Sequence, residues 1–558
     1  MKLDQAKRIF NEMKNTRSPW MAAWKELAQY IAPTSGSFED DPRSRAGKKI
    51  DHKTILDSTA ARAVAILAAG MMSGLTSPSR SWFELTLDEE NDKQTNSVRR
   101  WLYDVKQRLE QVFAKSNVYA VLHNFYEEVA VFCTSAFLVE EDYETVLHCR
   151  PFTIGEYMLG ENERGQVDRF AREFYMTTYQ LVKQFGLDNV PDTVRQQYMN
   201  GKYDMLHKVY HLISPNPDHK PDAIGNKNMP WASLYWTDGA GNNLLRESGY
   251  EDFPVICARW EVKRPSDVYG RGPGWTVLGD VKMLQRMQKT KLQALDKSTN
   301  PPMMVSAKVQ GEVNLLPGGL TRYNDTTDAA VKPVYQVNPD LKSLEYSIEQ
   351  TRQRISEQFF ADLFLMISNV DAGKMTATEV AERTQEKMMM LGPVLERLKN
   401  ELLDPLIARA FNICHRAGIL PEAPEEIQGR DLHVSYISMI AQAQKAGALN
   451  TIRQGAQFAA ELAQIQAAGN AAEVLDNLDM DGALREGLTA IGATPKMIRA
   501  EEDVQNTREQ RIKSQQAAAQ QAQMAQAVQS AKTLSATPLN NGSALDAVVQ
   551  AQGANANV

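Results

Sequence analysis

Apolar residues recur at helical spacing along two long stretches of the chain, and the stretch between them alternates as strands do. In the first, between Asp280 and Lys297, one side of the helix carries Val281, Leu284, Met287, Leu292 and Leu295. The second keeps helical spacing from about Leu341 to Met366. β-Branched residues around Leu316-Pro317-Gly318-Gly319 indicate short strands joined by tight turns. The pattern predicts two long helices, called here the stalk, that bracket a small β module.

Glycine and proline set the two ends of the first stalk helix. The motif Tyr269-Gly270-Arg271-Gly272-Pro273-Gly274 favours an irregular turn, so the helix is expected to begin just after it. Asn300-Pro301-Pro302 stops the helix, because proline lacks an amide donor and disfavours the α conformation of the residue before it. The side of this helix opposite the apolar one is basic, with Lys282, Arg286, Lys289 and Lys297.

Upstream of the stalk, the pattern predicts an α+β body. A helix in the first 50 residues carries Trp20 and Trp24 one turn apart. A buried packing helix is predicted over Thr59–Leu75, and amphipathic helices are predicted over Asn96–Lys115 and Val118–Ser135. The predicted strands lie within Leu138–Arg150, Phe170–Thr177 and Met205–Ser214 and in a hairpin made of Trp231–Trp236 and Asn243–Glu247.

Downstream of the stalk, helical patterns dominate. A capping box from Thr376 to Glu379 marks a helix start, and Pro393 predicts a kink in that helix. Beyond Pro421 the chain is alanine-rich and predicted to be mostly helical. The alanine and glutamine tract Gln505–Gln529 favours a helix with little apolar surface, and Thr537–Val558 is expected to lack ordered structure.

Composition narrows the function classes. The 558 residues carry a formal net charge of −7, which argues against a protein whose whole surface grips DNA. The four cysteines are scattered without a C-x-x-C pair, so neither a disulfide framework nor a zinc site is expected, and the chain is expected to fold in a reducing cytoplasm. Neither a signal-peptide core nor a membrane-spanning run is recognised, so membrane insertion is not expected.

Motifs for catalysis are missing from the sequence. It has no G-x-x-x-x-G-K-[ST] segment to cradle ATP phosphates, and the glycines after Tyr269 lack the spacing of a dinucleotide site. His207 and His211 are four residues apart but lack the glutamate of H-E-x-x-H, and they are expected to share one face of a strand. We therefore expect no enzyme activity, no catalytic residue, no metal and no cofactor.

The order of several motifs resembles that of the portal proteins, or head-to-tail connectors, of short-tailed bacteriophages. These motifs are Ser248-Gly249-Tyr250-Glu251-Asp252-Phe253-Pro254, Ala258-Arg259-Trp260, the glycine motif from Tyr269 to Gly274, Asn300-Pro301-Pro302 and Leu316-Pro317-Gly318-Gly319. The resemblance extends from the N-terminal helices to about residue 416. Gly272 stands where many relatives are expected to have serine.

The resemblance implies a predominantly helical α+β chain that assembles as a ring, usually of twelve copies, at one vertex of the capsid. The implied parts are a wing at 1–277, stem helices at 278–298 and 341–367, a β-containing clip at 299–340, a tunnel loop at 368–376, a kinked wing helix at 377–417, a helical crown at 418–500, a C-terminal barrel helix at 501–536 and a tail at 537–558. The alternative for the last helix is a frayed end outside any barrel.

The resemblance also implies contact sites. The tunnel loop, with Asn369, Asp371, Lys374 and Met375, would face DNA in the channel; the alternative is an ordinary exposed loop between helices. The clip, with Pro317, Gly318, Gly319, Arg322 and Tyr323, would dock the packaging motor and later the tail. The basic side formed by Lys282, Arg286, Lys289 and Lys297 would face either the channel or the acids Glu345, Glu349 and Glu357 of a neighbouring stem.

The expected partners are other copies of the chain, double-stranded genomic DNA, the terminase large subunit, tail or adaptor proteins, and the major capsid and scaffolding proteins. The expected location is the portal vertex of the virion, after assembly in the host cytoplasm. Two alternatives stay open: another ring-forming or scaffold protein of the virion, and a non-catalytic subunit of a nucleic-acid-processing complex.

Overall fold

The computed structural model describes residues 2–38, 54–87, 96–238, 244–299, 303–305, 313, 331–333, 340–368, 391–427, 432–436, 501–536, 538–539 and 542–543. The chain divides into two compact units. The first comprises Met1–Asp88, Asp104–Glu422 and Arg430–Ala441, and the second comprises Glu89–Tyr103, Ala423–Gly429 and Gln442–Val558.

The N-terminal part of the chain is mainly helical. Its elements are α1 (Leu3–Tyr30), α2 (Thr59–Leu75), β1 (Phe83–Leu87), α3 (Asn96–Lys115) and α4 (Val118–Phe132). Helix α2 buries small and aliphatic side chains such as Ala63, Leu67 and Ala68, so it is a packing helix as predicted. Helix α4 ends three residues before the predicted end, because Cys133 adopts a left-handed conformation and Thr134 begins a strand.

Two antiparallel sheets form the centre of the first unit. The next elements in chain order are β2 (Thr134–Asp142), β3 (Val146–Phe152), β4 (Tyr157–Glu161), β5 (Val167–Thr177), α5 (Thr178–Phe185), α6 (Asp192–Met199), β6 (Leu206–Pro215), β7 (Trp231–Thr237), β8 (Arg246–Tyr250) and β9 (Val255–Arg259). Strands β4 to β8 form a five-stranded meander in chain order, and β3, β2 and β9 form a three-stranded sheet. The α+β class predicted from the sequence agrees with this architecture.

Both faces of the five-stranded sheet are covered. One face packs against α1, where Phe10 contacts the rings of Tyr210 and Trp236. The other face packs against α5 and α6 through Leu181 and Val194. Alternating side chains therefore serve two separate apolar cores.

His207 and His211 lie on strand β6, as the alternation predicted. The buried ring of His211 stacks on Tyr235 with 3.8 Å between centroids. Burial lowers the pKa of His211, and nearby arginines lower it further, so this ring stays neutral. No group of three or more possible metal ligands occurs among the residues that the structure describes.

Helix α7 (Pro273–Thr299) begins inside the glycine motif, not after it as predicted. Proline suits the first turn of a helix, where its missing amide proton has no intrahelical partner. The glycines are needed for close packing: a Cβ on Gly274 would overlap the Val131 carbonyl oxygen, and one on Gly270 would overlap the Cys133 carbonyl oxygen. The start of α7 therefore lies directly against the backbone at the end of α4.

An aromatic cluster surrounds the same start of α7. Trp20 lies 6.1 Å from Trp24, 5.7 Å from Tyr269 and 5.4 Å from Trp275, measured between ring centroids. The Arg271 guanidinium lies over Trp20 at 4.9 Å and over Trp275 at 5.3 Å. Helix α1 is thereby joined to the start of α7 by stacked rings and a cation–π contact.

The second stalk helix is interrupted, whereas the sequence predicted one continuous helix. Helix α8 (Leu341–Gln358) is followed by α9 (Ala361–Ser368). The break falls at Phe359 and Phe360, where Phe360 has φ 54°. Phe359 is fully buried and the Phe360 ring lies 6.3 Å from that of Trp260, so aromatic packing holds the break in place.

Residues 391–416 belong to the first unit and return to its body. They form a helix at 391–398 (α10), a π-helical stretch Lys399–Leu403 and α11 (Asp404–Arg416). Glu401 of the π-helical stretch holds Arg259, accepting hydrogen bonds from its Nη2 at 2.8 Å and its backbone amide at 2.9 Å. Arg259 is almost fully buried and also pairs with Glu161 at 3.0 Å. The kink predicted at Pro393 concerns a helix whose first part lies outside the described residues.

The remaining elements are short strands and one long helix. Strands β10 (Met303–Val305) and β11 (Val331–Pro333) pair antiparallel, in the region predicted to hold short strands. Strand β12 (Leu432–Tyr436) pairs with β1 and lies at the edge of the region predicted to be mostly helical; Leu432, Val434 and Tyr436 alternate with polar residues, a strand pattern. The predicted crown helices at 437–500 lie outside the described residues. In the second unit, α12 (Glu501–Ala536) is followed by the two-residue strands β13 (Pro538–Leu539) and β14 (Gly542–Ser543), which pair antiparallel within the tail that was expected to lack ordered structure.

Gly274→Ala should destabilise the protein by about 3 kcal/mol, because the new methyl group overlaps a carbonyl oxygen that belongs to packed backbone. Gly279→Ala is the matched control, since nothing lies within 4 Å of its Cβ position, and it should stabilise α7 by about 0.5–1 kcal/mol. Thermal unfolding of the two variants measures the contrast. Equal melting temperatures would show that the motif does not constrain packing.

Candidate functional site

The two stalk helices, α7 and α8, pack side by side in antiparallel directions. Their apolar stripes bury Val281 and Leu284 from α7 and Ile348 and Ile355 from α8. Ion pairs cross between the helices at both ends: Lys291 Nζ to Glu345 at 2.8 Å, and Arg354 Nη2 to Asp280 at 3.6 Å. These two pairs fix the register and place residues 349–351 level with Gln285.

On the predicted basic side of α7, one cation forms an ion pair and three form none with the described residues. Lys282 donates to Glu26 at 2.7 Å and lies over the ring of Tyr30, so it ties the stalk to α1. Arg286, Lys289 and Lys297 are exposed and form no ion pair with any residue that the structure describes. The positive charge left for a partner therefore lies on these three residues.

Two of the three acidic residues considered as partners of that basic side already form ion pairs within the same chain. Glu345 accepts a hydrogen bond from Lys291, and this bond lowers the pKa of Glu345. Glu349 pairs with Arg352 at 3.2 Å, one turn along α8. Glu357 accepts a hydrogen bond from Gln353 and has no ion pair among the described residues.

A carboxylate just before α2 clamps both stalk helices, and this role of Asp57 was not predicted from the sequence. The Asp57 side chain is 3% exposed and accepts hydrogen bonds from Gln288 Nε2 at 2.9 Å and from Arg352 Nη2 at 2.8 Å. Gln288 is on α7 and Arg352 is on α8. Thr59 also donates to this carboxylate with its backbone amide and its hydroxyl, which fixes the first turn of α2.

Gln285 completes this clamp with backbone hydrogen bonds. Its Oε1 accepts from the amides of Leu56 and Asp57 at 2.7 and 2.9 Å, and its Nε2 donates to the Asp57 carbonyl at 2.8 Å. The amide side chain thus pairs with an extended segment as a neighbouring strand would. We call Asp57, Gln285, Gln288 and Arg352 the stalk clamp.

The clamp sets the ionisation of Asp57. Burial alone would raise the pKa of this carboxyl group, but the hydrogen bonds from Thr59, Arg352 and Gln288 outweigh burial and hold the pKa below its usual value. Asp57 is therefore an anion at neutral pH. A sequence signal for the clamp did exist, since Gln285 and Gln288 are polar residues on the apolar side of α7.

The other predicted contact residues lie outside the part of the chain that the structure describes. They are Asn369, Asp371, Lys374 and Met375 of the tunnel loop and Pro317, Gly318, Gly319, Arg322 and Tyr323 of the clip. None of the helices that the structure describes is long and apolar enough to span a membrane. The four cysteines are buried and free.

The chain is similar to a known protein family along most of its length. A model of the family described as bacteriophage head to tail connecting protein matches residues 3–498. A portal protein of Salmonella phage epsilon15 is 41% identical over 548 residues, covering 97% of both chains. A probable portal protein of Bordetella phage BPP-1 is 40% identical over 547 residues, again covering 97% of both chains. A portal protein of Escherichia phage T7 is 24% identical over 444 residues and 76% of both chains.

With its stalk rooted in an α+β body, the chain is of the class that connects a phage head to a tail. It belongs to the bacteriophage head to tail connecting protein family. The resemblance inferred from the motif order is confirmed, because relatives of about 40% identity across 97% of the chain are named as portal proteins. Two of those motifs have structural roles here: Arg259 is a buried ionic hub, and the glycine motif permits close packing.

Asp57→Asn should destabilise the first unit by about 2 kcal/mol, because it leaves the Arg352 guanidinium and the Gln288 amide facing a neutral group. The pKa of Asp57 is lowered in the folded state, so its ionised form adds stability above the unfolded-state pKa. That stability is lost as pH falls through the folded-state pKa. Melting temperatures measured from pH 7 down to pH 3 should therefore fall more steeply for the wild type than for the variant.

The matched control is Glu349→Gln, which removes the other acid paired with Arg352. Glu349 is 71% exposed, so the loss should be below about 0.5 kcal/mol. A loss for Glu349→Gln equal to that for Asp57→Asn would contradict the assignment of the clamp to the buried carboxylate.

Proposed function

We propose that copies of this chain close into a ring at one capsid vertex and that double-stranded DNA passes through its channel during packaging and ejection. The supporting observation is the similarity to portal proteins along 97% of the chain, far more than one shared domain would give. On this proposal the chain is a virion protein that acts through the shape of its assembly. Its work is to provide a channel and docking surfaces, without a catalytic residue or a cofactor.

Ring closure explains how such a chain makes a channel. A heterologous contact, repeated around a closed rotation, encloses an axial hole without needing any specialised surface on one copy. The stalk suits such a repeated contact, because α7 and α8 expose much of their outer surfaces. The stalk clamp meanwhile holds the parts of both helices nearest the body in place. We propose twelve copies, as the resemblance to portals implies.

The charge of the chain suits a channel for moving DNA. A net charge of −7 disfavours broad attraction to phosphate, and strong attraction would resist sliding. Arg286, Lys289 and Lys297 are the exposed cations of α7 that lack ion pairs among the described residues. Twelve copies would turn each into a ring of positive charge. Two placements stay open for these cations: the channel wall, or the acids of a neighbouring stalk.

The remaining parts take their proposed roles from the family resemblance. The clip, with Arg322 and Tyr323, docks the terminase large subunit during packaging and the tail or adaptor proteins afterwards, and the wing meets capsid and scaffolding proteins. Helix α12 has 36 residues, a length of about 54 Å at 1.5 Å per residue, and forms a barrel with its copies.

Substituting Arg322 and Tyr323 with alanine should abolish pull-down of the terminase subunit. Truncation after residue 500 should leave rings without the axial barrel in averaged images.

The tunnel loop is proposed to contact DNA, with Lys374 as its cation. Deleting residues 369–375 should leave ring assembly intact and impair packaging or retention of DNA. A deletion that prevents folding would instead assign this segment to the core.

Negative-stain electron microscopy of the purified full-length protein tests the ring directly. We expect particles of about twelvefold symmetry with a central hole and a narrow projection formed by the stalks. Monomers or dimers at all protein and salt concentrations tried would contradict the proposal. The symmetry is read from class averages viewed along the axis.

The channel placement of the cations predicts an effect on DNA. A triple variant, Arg286→Gln, Lys289→Gln and Lys297→Gln, should lower the DNA retained per particle if these residues face the channel. Lys282→Gln is the control, because Lys282 is already neutralised by Glu26 within the same chain. Retained DNA is measured by quantitative amplification after nuclease treatment. Unchanged retention together with weaker rings would place the cations between stalks.

A further inference from the structure

The two flanks of the stalk differ in shape. On one flank, the Leu56–Asp57 segment lies across α7 and α8 and is bonded to both helices through the stalk clamp. Leu56 itself is 39% exposed, although its backbone is fixed by Gln285. This flank therefore presents a leucine side chain on a rigid support.

The opposite flank has a groove. Met283 and Met287 from α7 line a volume of about 620 Å³ together with polar side chains of α8. These polar residues are Ser347, Gln350, Thr351, Gln353, Arg354 and Glu357. We call it the methionine groove. Met283 is 39% exposed within it. Flexible, polarisable methionine side chains adapt to an inserted apolar group.

Leu56 and the methionine groove lie at the same height along the stalk, on its two opposite flanks. Gln285, which bonds to Leu56, sits in sequence between Met283 and Met287 and projects about 160° away from each of them around the helix. Copies in a closed ring are related by rotation alone, so one copy's flank meets the opposite flank of the next copy at equal height along the axis. The match in height is what an interlocking contact requires.

Charges beside the two features are complementary. Glu349 is on the flank of Leu56, level with Gln285, and is 71% exposed. Arg354 lines the groove, is 54% exposed, and its ion pair with Asp280 is long at 3.6 Å. Arg354 is five residues farther along α8 than Glu349, about 7.5 Å at 1.5 Å per residue. A neighbour placed against the groove would bring its Glu349 within reach of Arg354, because both side chains are long.

We propose that the Leu56 side chain of one copy inserts into the methionine groove of the next copy around the ring, with Glu349 of the first copy beside Arg354 of the second. The inference rests on the proposed ring and specifies which surfaces form it. The occupant of the groove is thus a second copy of this chain. Each copy offers one leucine and one groove, so the contact repeats until the ring closes.

Cysteine cross-linking of the full-length protein tests the contact. In the double variant Leu56→Cys and Met283→Cys, a short bismaleimide should join successive copies and give a ladder of covalent multimers on a denaturing gel. The native cysteines are all buried, so background reaction should be low. Each single variant, and the control pair Leu56→Cys with Ile224→Cys, should give no ladder, since Ile224 is fully exposed in a distant loop.

A second variant measures how much the contact contributes. Leu56→Asp should reduce the ring fraction at a fixed protein concentration by at least about tenfold, because it places a carboxylate against the Met283 and Met287 side chains of the groove. Ile224→Asp should leave the ring fraction unchanged. The melting temperature of Leu56→Asp should match that of the wild type under conditions where both are monomeric, since Leu56 is exposed in one copy.

The outcomes separate this inference from the proposed function. Rings of normal abundance from Leu56→Asp, with no ladder from the cysteine pair, would overturn the inference and leave the ring intact. A cross-link found only within single chains would overturn it as well. A wild-type protein that forms no rings and a cysteine pair that gives no ladder would refute both.

Discussion

The close approach of the glycine motif to the end of α4 is the contact on which the stalk depends. Gly270 and Gly274 bring the backbone against the carbonyl oxygens of Cys133 and Val131, and any side chain there would push α7 away. The direction in which α7 leaves the body is thereby set by backbone packing, which is stiffer than contacts between flexible side chains. The left-handed Cys133 that ends α4 is part of the same arrangement.

Beyond that root, the polar contacts of the stalk differ in how deeply they are buried. Near the root, the neutral amide of Gln285 and the carboxylate of Asp57 hold both helices against the start of α2. Farther out, the exposed ion pair of Lys291 with Glu345 links the two helices only to each other. Buried, multiply bonded groups resist displacement more than exposed pairs do, so the clamp holds the stalk more firmly than the ion pairs Lys291–Glu345 and Arg354–Asp280.

Much of this fold follows from local sequence patterns. Helical spacing predicted α2 and α3 with the boundaries found, and alternation placed His207 and His211 on one strand face. The break after α8 was not predicted, because Phe359 and Leu363 continue the apolar helical spacing across it. Such spacing gives no information about the left-handed backbone conformation of Phe360. The clamp was missed for another reason: Asp57 is 295 residues from Arg352, and one sequence gives no sign of such a pairing. Strand β12 likewise depends on a distant partner, β1.

The aromatic cluster at the start of α7 has an optical consequence. Three of the eight tryptophans of the chain, Trp20, Trp24 and Trp275, lie together there with the guanidinium of Arg271 against two of them. Indole emission depends on ring stacking and on nearby charge. Three of the eight indoles therefore report on the junction between stalk and body, and the unlabelled native sequence carries a spectroscopic probe at that junction.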